Sequence, residues 1–149
     1  MKIIKVQKSI DIAAPPEKIW PFLIEPKKVL QWYIPLQRFE YLSDQRGSEG
    51  APLYFEEKVA GRLMKLNCIV TDCKEHERFA FKMTSGSMMK SYKERWAVEK
   101  TPSGSKFTFT EQGELPYGFI GRVIEPLAQR MSGSTIEKML VKLKSLVEA

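Results

Sequence analysis

Glu94 and Glu111 are the side chains of this sequence whose spacing could do chemistry. They flank Thr101-Pro-Ser-Gly104, which reads as a turn. Folding the chain back about that turn sets the two carboxylates directly opposite each other on adjacent strands. The same pairing sets Trp96 against Phe109 and Val98 against Phe107, so the face carrying the acids is otherwise apolar. Two carboxylates held together in such surroundings repel, and one of them should hold its proton to a higher pH than it would in water. A group of that kind suits general acid or base work, or the anchoring of a ligand hydroxyl. Tyr92, two residues before Glu94 and on the same face, is the candidate donor beside them. Lys8 is a second exception, the one charged member of the row Ile4, Val6, Ile10 and Ile12.

The elements that must position these residues follow from strict alternation between Leu53 and Glu111. Ala60-Gly61 and Gly86-Ser87 read as two-residue hairpin turns, and glycine first in Gly86-Ser87 suits a type II′ turn. Lys74–His76 and Thr101–Gly104 read as longer turns. Pairing across these turns predicts one row of Leu53, Cys68, Phe81 and Tyr92, and a second of Phe55, Leu66, Met83 and Lys90. A third holds Val70, Phe79, Glu94 and Glu111. All four turns agree on a single apolar face. Lys90 and Glu57 form a second inward polar set on it. They are either the wet mouth of a cavity, with Lys90 reaching past Met83 to solvent, or an anchor for a ligand carboxylate or phosphate. Phe55, Phe79, Phe81, Tyr92, Trp96, Phe107 and Phe109 would either line a pocket or fill it.

Before this sheet, a strand over residues 2–12 runs into Ala14-Pro15-Pro16-Glu17, a helix start. Pro21 should make that helix short or bent, a second helix covers Lys27–Trp32, and Leu36–Leu42 reads as a strand. Gly47–Gly50 lies in a surface turn without a phosphate-loop pattern. After Gly113 the chain enters a tail in which Ile120, Val123, Ile124, Leu127, Met131, Met139, Leu140, Leu143, Leu146 and Val147 recur at helical spacing. Pro126 is expected to divide that tail into a short helix and a long one, and Ser132-Gly-Ser134 to weaken its middle, since glycine costs ~1 kcal/mol relative to alanine in a helix.

Composition bounds the function. The 149 residues are expected to form one domain, with a hydrophobic fraction of 43% and a charged fraction of 28%, an ordinary globular balance. The net charge is +6, but the 24 lysines and arginines are interleaved with acids rather than gathered in a stripe. That argues against nucleic acid as a partner and favours weak, transient contact with anionic membrane surfaces. No run approaches the ~18 apolar residues of a membrane span, and lysines thread the N-terminal strand, so a cytoplasmic location is expected. Cys68 and Cys73 are expected on opposite faces of one strand, unable to bridge. With His76 alone beside them, no metal-ligand spacing is recognisable, and neither metal nor cofactor is expected.

The order of elements, with the cassette SIDIAAPPEKIWPFLIEPKKVLQWYIP and the closing run IEKMLVKLKSLVEA, resembles the START/SRPBCC superfamily. The motif positions are Ala14-Pro15, Trp20, Glu25-Pro26 and Trp32. This resemblance implies the α+β helix-grip fold, a seven-stranded curved antiparallel sheet wrapped round a long C-terminal helix, with two short helices after the first strand. It places the first strand beside the last, where Lys8 would neutralise Glu94 and Glu111. The alternative is a charge-balanced network of these three residues at a solvated rim. The resemblance further implies a cavity between sheet and helix for a small hydrophobic ligand such as a lipid, quinone, sterol or polyketide. Its expected wall is Phe55, Leu66, Phe79, Phe81, Met83, Lys90, Tyr92, Glu94, Trp96, Phe109, Glu111, Ile124 and Met131. Access would come from movement near Tyr117-Gly118 or Ser132–Ser134. Two rival expectations are an enzyme resembling polyketide cyclases and dehydrases, using Glu94, Glu111 and Tyr92, and an adaptor similar to chaperone activators.

Overall fold

Three prolines set up the first turn of the fold. In the computed structural model, which describes residues 4–59, 61–115 and 118–149 (the side chains of 118–131 excepted), strand β1 (Ile4–Ile12) leads into helices α1 (Pro16–Ile19), α2 (Pro21–Ile24) and α3 (Pro26–Trp32). Each helix has a proline in its opening position, where the missing N–H costs nothing. Pro21 therefore restarts the chain as a separate helix rather than bending one. Strands β2 (Leu36–Tyr41), β3 (Pro52–Val59), β4 (Arg62–Lys74), β5 (Arg78–Gly86), β6 (Ser91–Thr101) and β7 (Gly104–Glu114) follow, and the chain closes with helix α4 (Gly118–Glu148).

The strands form one antiparallel sheet in the order β1-β7-β6-β5-β4-β3-β2. Its inner face buries Leu53, Phe55, Leu66, Val70, Phe79, Phe81, Trp96, Phe107 and Phe109, together with Ile136, Met139, Leu140, Leu143 and Val147 of α4. This is the helix-grip α+β arrangement. Trp96 is its packing centre: the rings of Trp32, Tyr33, Phe39, Phe79, Phe81 and Phe109 all lie 5.3–6.2 Å from it. These aromatic side chains pack ring against ring, and so fill this end of the cup.

Two registers match the alternation. Leu53 pairs with Cys68 and Phe55 with Leu66, while Glu94 pairs with Glu111, Trp96 with Phe109 and Val98 with Phe107. The two hairpins involving β5 differ. Gly86 is not a turn residue but pairs with Leu66 in the ladder. A Cβ on it would lie 2.5 Å from the Lys65 carbonyl, so glycine is needed for close backbone approach. The turn falls in residues 87–90, with Met88 at a φ of 70°. Phe81 consequently meets Glu94 and Phe79 meets Trp96, a shift of two residues that preserves the inner face. Tyr92 pairs with Gly113 on β7, as the Glu94–Glu111 register requires, but is no longer opposite Phe81 on β5. Lys90 is thereby carried out of the sheet. It is exposed in the connecting loop rather than inward beside Met83, and its backbone N–H donates to the Glu114 carbonyl over 2.8 Å.

Bulges in β4, at Asn67/Cys68 and Val70/Asp72, complete the shift. The second inverts the alternation, so Cys73 lies opposite buried Phe79 and packs against the core on the same side as Cys68. Both thiols are free. The backbone of α4 runs unbroken, without a division at Pro126; a proline removes one donor but does not oblige a break. Gly133 is buried at the helix's close approach to β1, where a Cβ would stand 3.5 Å from the Lys8 side chain. Ile120, Val123, Ile124, Leu127 and Met131 lie outside the described side chains.

Candidate functional site

Four elements supply the ring and carboxyl side chains of the site, and α4 adds Ser132. Strand β6 supplies Tyr92, Glu94 and Trp96, and β7 supplies Glu111. Strand β3 supplies Glu57, and the C-cap of α3 supplies Tyr33. Alternation in β6 aims its three side chains inward. Ending α3 just before Pro35 drops Tyr33 onto the same spot.

Glu94 is only 2% exposed. Its Oε2 accepts the Tyr33 and Tyr92 hydroxyls, each over 2.6 Å, and its Oε1 accepts the Trp96 indole N–H over 2.9 Å. Tyr92 Oη is also 2.7 Å from Glu111 Oε2. A phenol has one proton, yet this oxygen touches two carboxyls. Whichever carboxyl the phenol does not serve must itself be the donor, so Glu94 and Glu111 together carry a proton. Ser132 of α4 hydrogen-bonds Glu111 from the other side, and Tyr33 reaches Glu57 as well as Glu94.

Electrostatics agree with that count. Burial, then the nearby Glu111 charge, pushes Glu94 up to about 8 despite three hydrogen bonds that favour the ionised form. Burial, then the charges of Glu94 and Glu111, holds Glu57 well above the usual carboxylate range. Burial also raises Glu111, against the hydrogen bonds from Tyr92 and Ser132. The phenols of Tyr33 and Tyr92 are raised by burial first and by the surrounding carboxylates second. The arrangement can hold, give up and relay protons at neutral pH.

Lys8 does not neutralise this cluster. It pairs in register with Phe109, and its ammonium bonds Glu137 on α4 at 2.9 Å. Helix α4 lies against β1 and offers the nearer acid. A recess of about 140 Å³ reaches the cluster between the end of β3 and α4, lined by Tyr33, Pro35, Glu57, Glu111, Ser132, Ile136 and Met139, with Lys58, Val59 and Thr135 at its sides. Of the expected wall, Glu111 is at this recess and Tyr92 and Glu94 are directly behind it. Phe55, Leu66, Phe79, Phe81, Trp96 and Phe109 are fully buried core, Met83 is partly buried against them, and Lys90 is on the loop. Ile124 and Met131 are outside the described side chains.

Tyr33 and Ser132 are the members that reading the strands missed. Tyr33 lies between β1 and β2, ahead of the alternating strands, and its one signal was a hydroxyl-bearing residue beside buried Trp32. Ser132 was read only as a weak point of the helix. Among the described residues no group of three or more His, Cys, Asp or Glu is disposed to hold a metal ion, and no helix is long and apolar enough to cross a membrane.

A curled antiparallel sheet gripping a C-terminal helix, with a polar cluster at the seam, defines a domain of helix-grip fold. The chain belongs to the polyketide cyclase / dehydrase and lipid transport family, whose profile matches residues 4–148. No curated protein matches it. Solved structures similar to it include a Thermus thermophilus protein with TM-score 0.78 and 16% identity, covering 98% of this chain and 97% of that one. A START superfamily protein from Mycobacterium smegmatis has TM-score 0.78 and 17% identity, covering 97% of each chain. The ZhuI aromatase/cyclase from Streptomyces sp. R1128 has TM-score 0.72 and 15% identity, covering 99% of this chain and 94% of that one. At these identities the likeness is one of fold.

Proposed function

We propose that this protein binds a small hydrophobic ligand at the seam between sheet and α4, with the ligand's polar end at the Tyr33–Glu57–Glu111 recess. The observation that carries this reading is the recess itself, which leads from the protein surface to a buried hydrogen-bonding cluster inside an otherwise apolar cup. Such a combination is what small-molecule sites use: apolar walls for affinity and a few convergent polar groups for orientation. Its volume suits a ring or a polar head rather than a whole drug-sized molecule, which needs ~300 Å³ or more.

Native mass spectrometry of protein purified from its source, followed by organic extraction, tests the reading. A co-purifying apolar molecule whose retention drops in Glu111→Gln is the expected result. A protein that carries no adduct and binds no member of an apolar panel would refute it, and would favour a protein–protein adaptor instead.

A second reading, proton-transfer catalysis like that of polyketide cyclases and dehydrases, is favoured by one observation. Glu94 is poised near neutrality and linked through the Tyr92 hydroxyl to Glu111. In that case Glu94→Gln and Glu111→Gln abolish turnover of a bound polyketide-like substrate; in the carrier case they change only affinity.

A further inference from the structure

The chemistry of the ligand's polar end can be narrowed from the same geometry. Glu57 and Glu111 form the recess wall beside Tyr33, with Glu94 immediately behind. Tyr33 and Trp96 donate to Glu94, Ser132 bonds Glu111, and the Tyr92 hydroxyl bridges the two carboxyls with its single proton. The Tyr33, Tyr92 and Ser132 hydroxyls are thus committed to the wall's own carboxyls, while the Thr135 hydroxyl and the Lys58 ammonium stand at its sides. What the inner wall offers a newcomer is carboxyl oxygen lone pairs, the shared proton being engaged within the Glu94–Tyr92–Glu111 bridge. Lys58 is exposed at the rim, and Lys8 is engaged by Glu137. A ligand carboxylate or phosphate entering here would meet acceptor oxygens and the one negative charge that Glu94 and Glu111 keep between them, an unfavourable juxtaposition. A hydroxyl or amine would find acceptors.

We infer that the recess admits the hydrogen-bond-donating polar end of an apolar molecule, a hydroxyl or amine, and excludes the matching carboxylate or phosphate. This rests on the ligand reading above and adds a charge rule to it.

Three bicyclic aromatic probes of matched shape test the rule: 2-naphthol, 2-naphthylmethylamine and 2-naphthoate, titrated calorimetrically into the intact protein at neutral pH. The naphthol and the amine are expected to bind about tenfold or more tightly than the naphthoate. Glu57→Gln, which removes one carboxyl from the wall with little change of shape, should narrow that gap. Naphthoate binding as tightly as naphthol overturns the charge rule while leaving the ligand reading intact. Silence from all three probes, with neutral apolar panels also silent, overturns both.

Discussion

Tyr33 and Glu94 stand 61 residues apart in the chain and meet at 2.6 Å in the interior, phenol to carboxyl. The contact ties the end of α3 to the middle of the sheet and supplies one of the three donors that surround Glu94. Tyr33→Phe keeps the ring packing against Trp32, Trp96 and Phe109 and removes only the donor. We expect a loss of ~1–2 kcal/mol in urea unfolding. We also expect a further rise in the pH at which Glu94 ionises, because the lost bond favours the charged form. Carbon-detected NMR of the Glu94 carboxyl reads the second effect, and an unmoved titration would contradict the assigned bond.

Stability should fall as pH rises. Glu94 has its ordinary value of 4.5 in the unfolded chain and about 8 in the fold. Below 4.5 both states are protonated and the group contributes no difference. Between the two values the native protein keeps a proton that the unfolded chain gives up, so each pH unit costs on the order of 1 kcal/mol, and the loss levels off above the folded value. Glu57 and Glu111, both raised, add to the same slope. Urea midpoints measured from mildly acid to mildly alkaline pH should decline in the wild type and decline less in Glu94→Gln. A flat wild-type profile would mean that the carboxyls are not desolvated.

How far the sequence anticipates this site depends on where the backbone is regular. Glu94 opposite Glu111 was legible because Thr101–Gly104 closes a hairpin with no bulge, and every pair outward from it follows by counting. The β4–β5 and β5–β6 pairings were not, because bulges at Asn67/Cys68 and Val70/Asp72 have no side-chain signature and Gly86 mimics a turn while serving a close approach. The inner face nevertheless survived, since a shift of two keeps every side chain on its side of the sheet, except at Cys73 beyond the second bulge. Tyr33 was invisible for another reason: its partner is remote in sequence, and no periodicity links a helix cap to a strand interior.

The pairing of Lys8 with Glu137 predicts a small effect where the sequence suggested a large one. Both side chains are substantially exposed, at 38% and 62%, and exposed pairs contribute ~0.2–1 kcal/mol. Lys8→Met should therefore change unfolding free energy by less than ~1 kcal/mol and leave the pH profile of the carboxyl cluster in place. A displaced profile in that variant would show that Lys8 acts on Glu94 and Glu111 after all.

Gly113 tests whether the cluster depends on the placement of Tyr92. It lies directly opposite Tyr92 in the β6–β7 ladder. A Cβ there would fall 2.4 Å from the Met89 methyl, 3.1 Å from the Ser91 carbonyl and 3.2 Å from Cδ2 of the Tyr92 ring. The Met89 methyl can swing away, but the Ser91 carbonyl is backbone and the ring is buried, so Gly113→Ala must push the phenol along the strand. Overpacking of this kind costs ~1–3 kcal/mol. A displacement of a few tenths of an ångström would lengthen and weaken the hydroxyl's bond to one of the two carboxyls it joins. The expected signature is therefore selective: a modest loss of stability together with separate titration of Glu94 and Glu111. Tyr92→Phe should reproduce that separation without the steric cost, and if Gly113→Ala destabilises the fold while the two carboxyls still titrate together, the glycine serves packing alone.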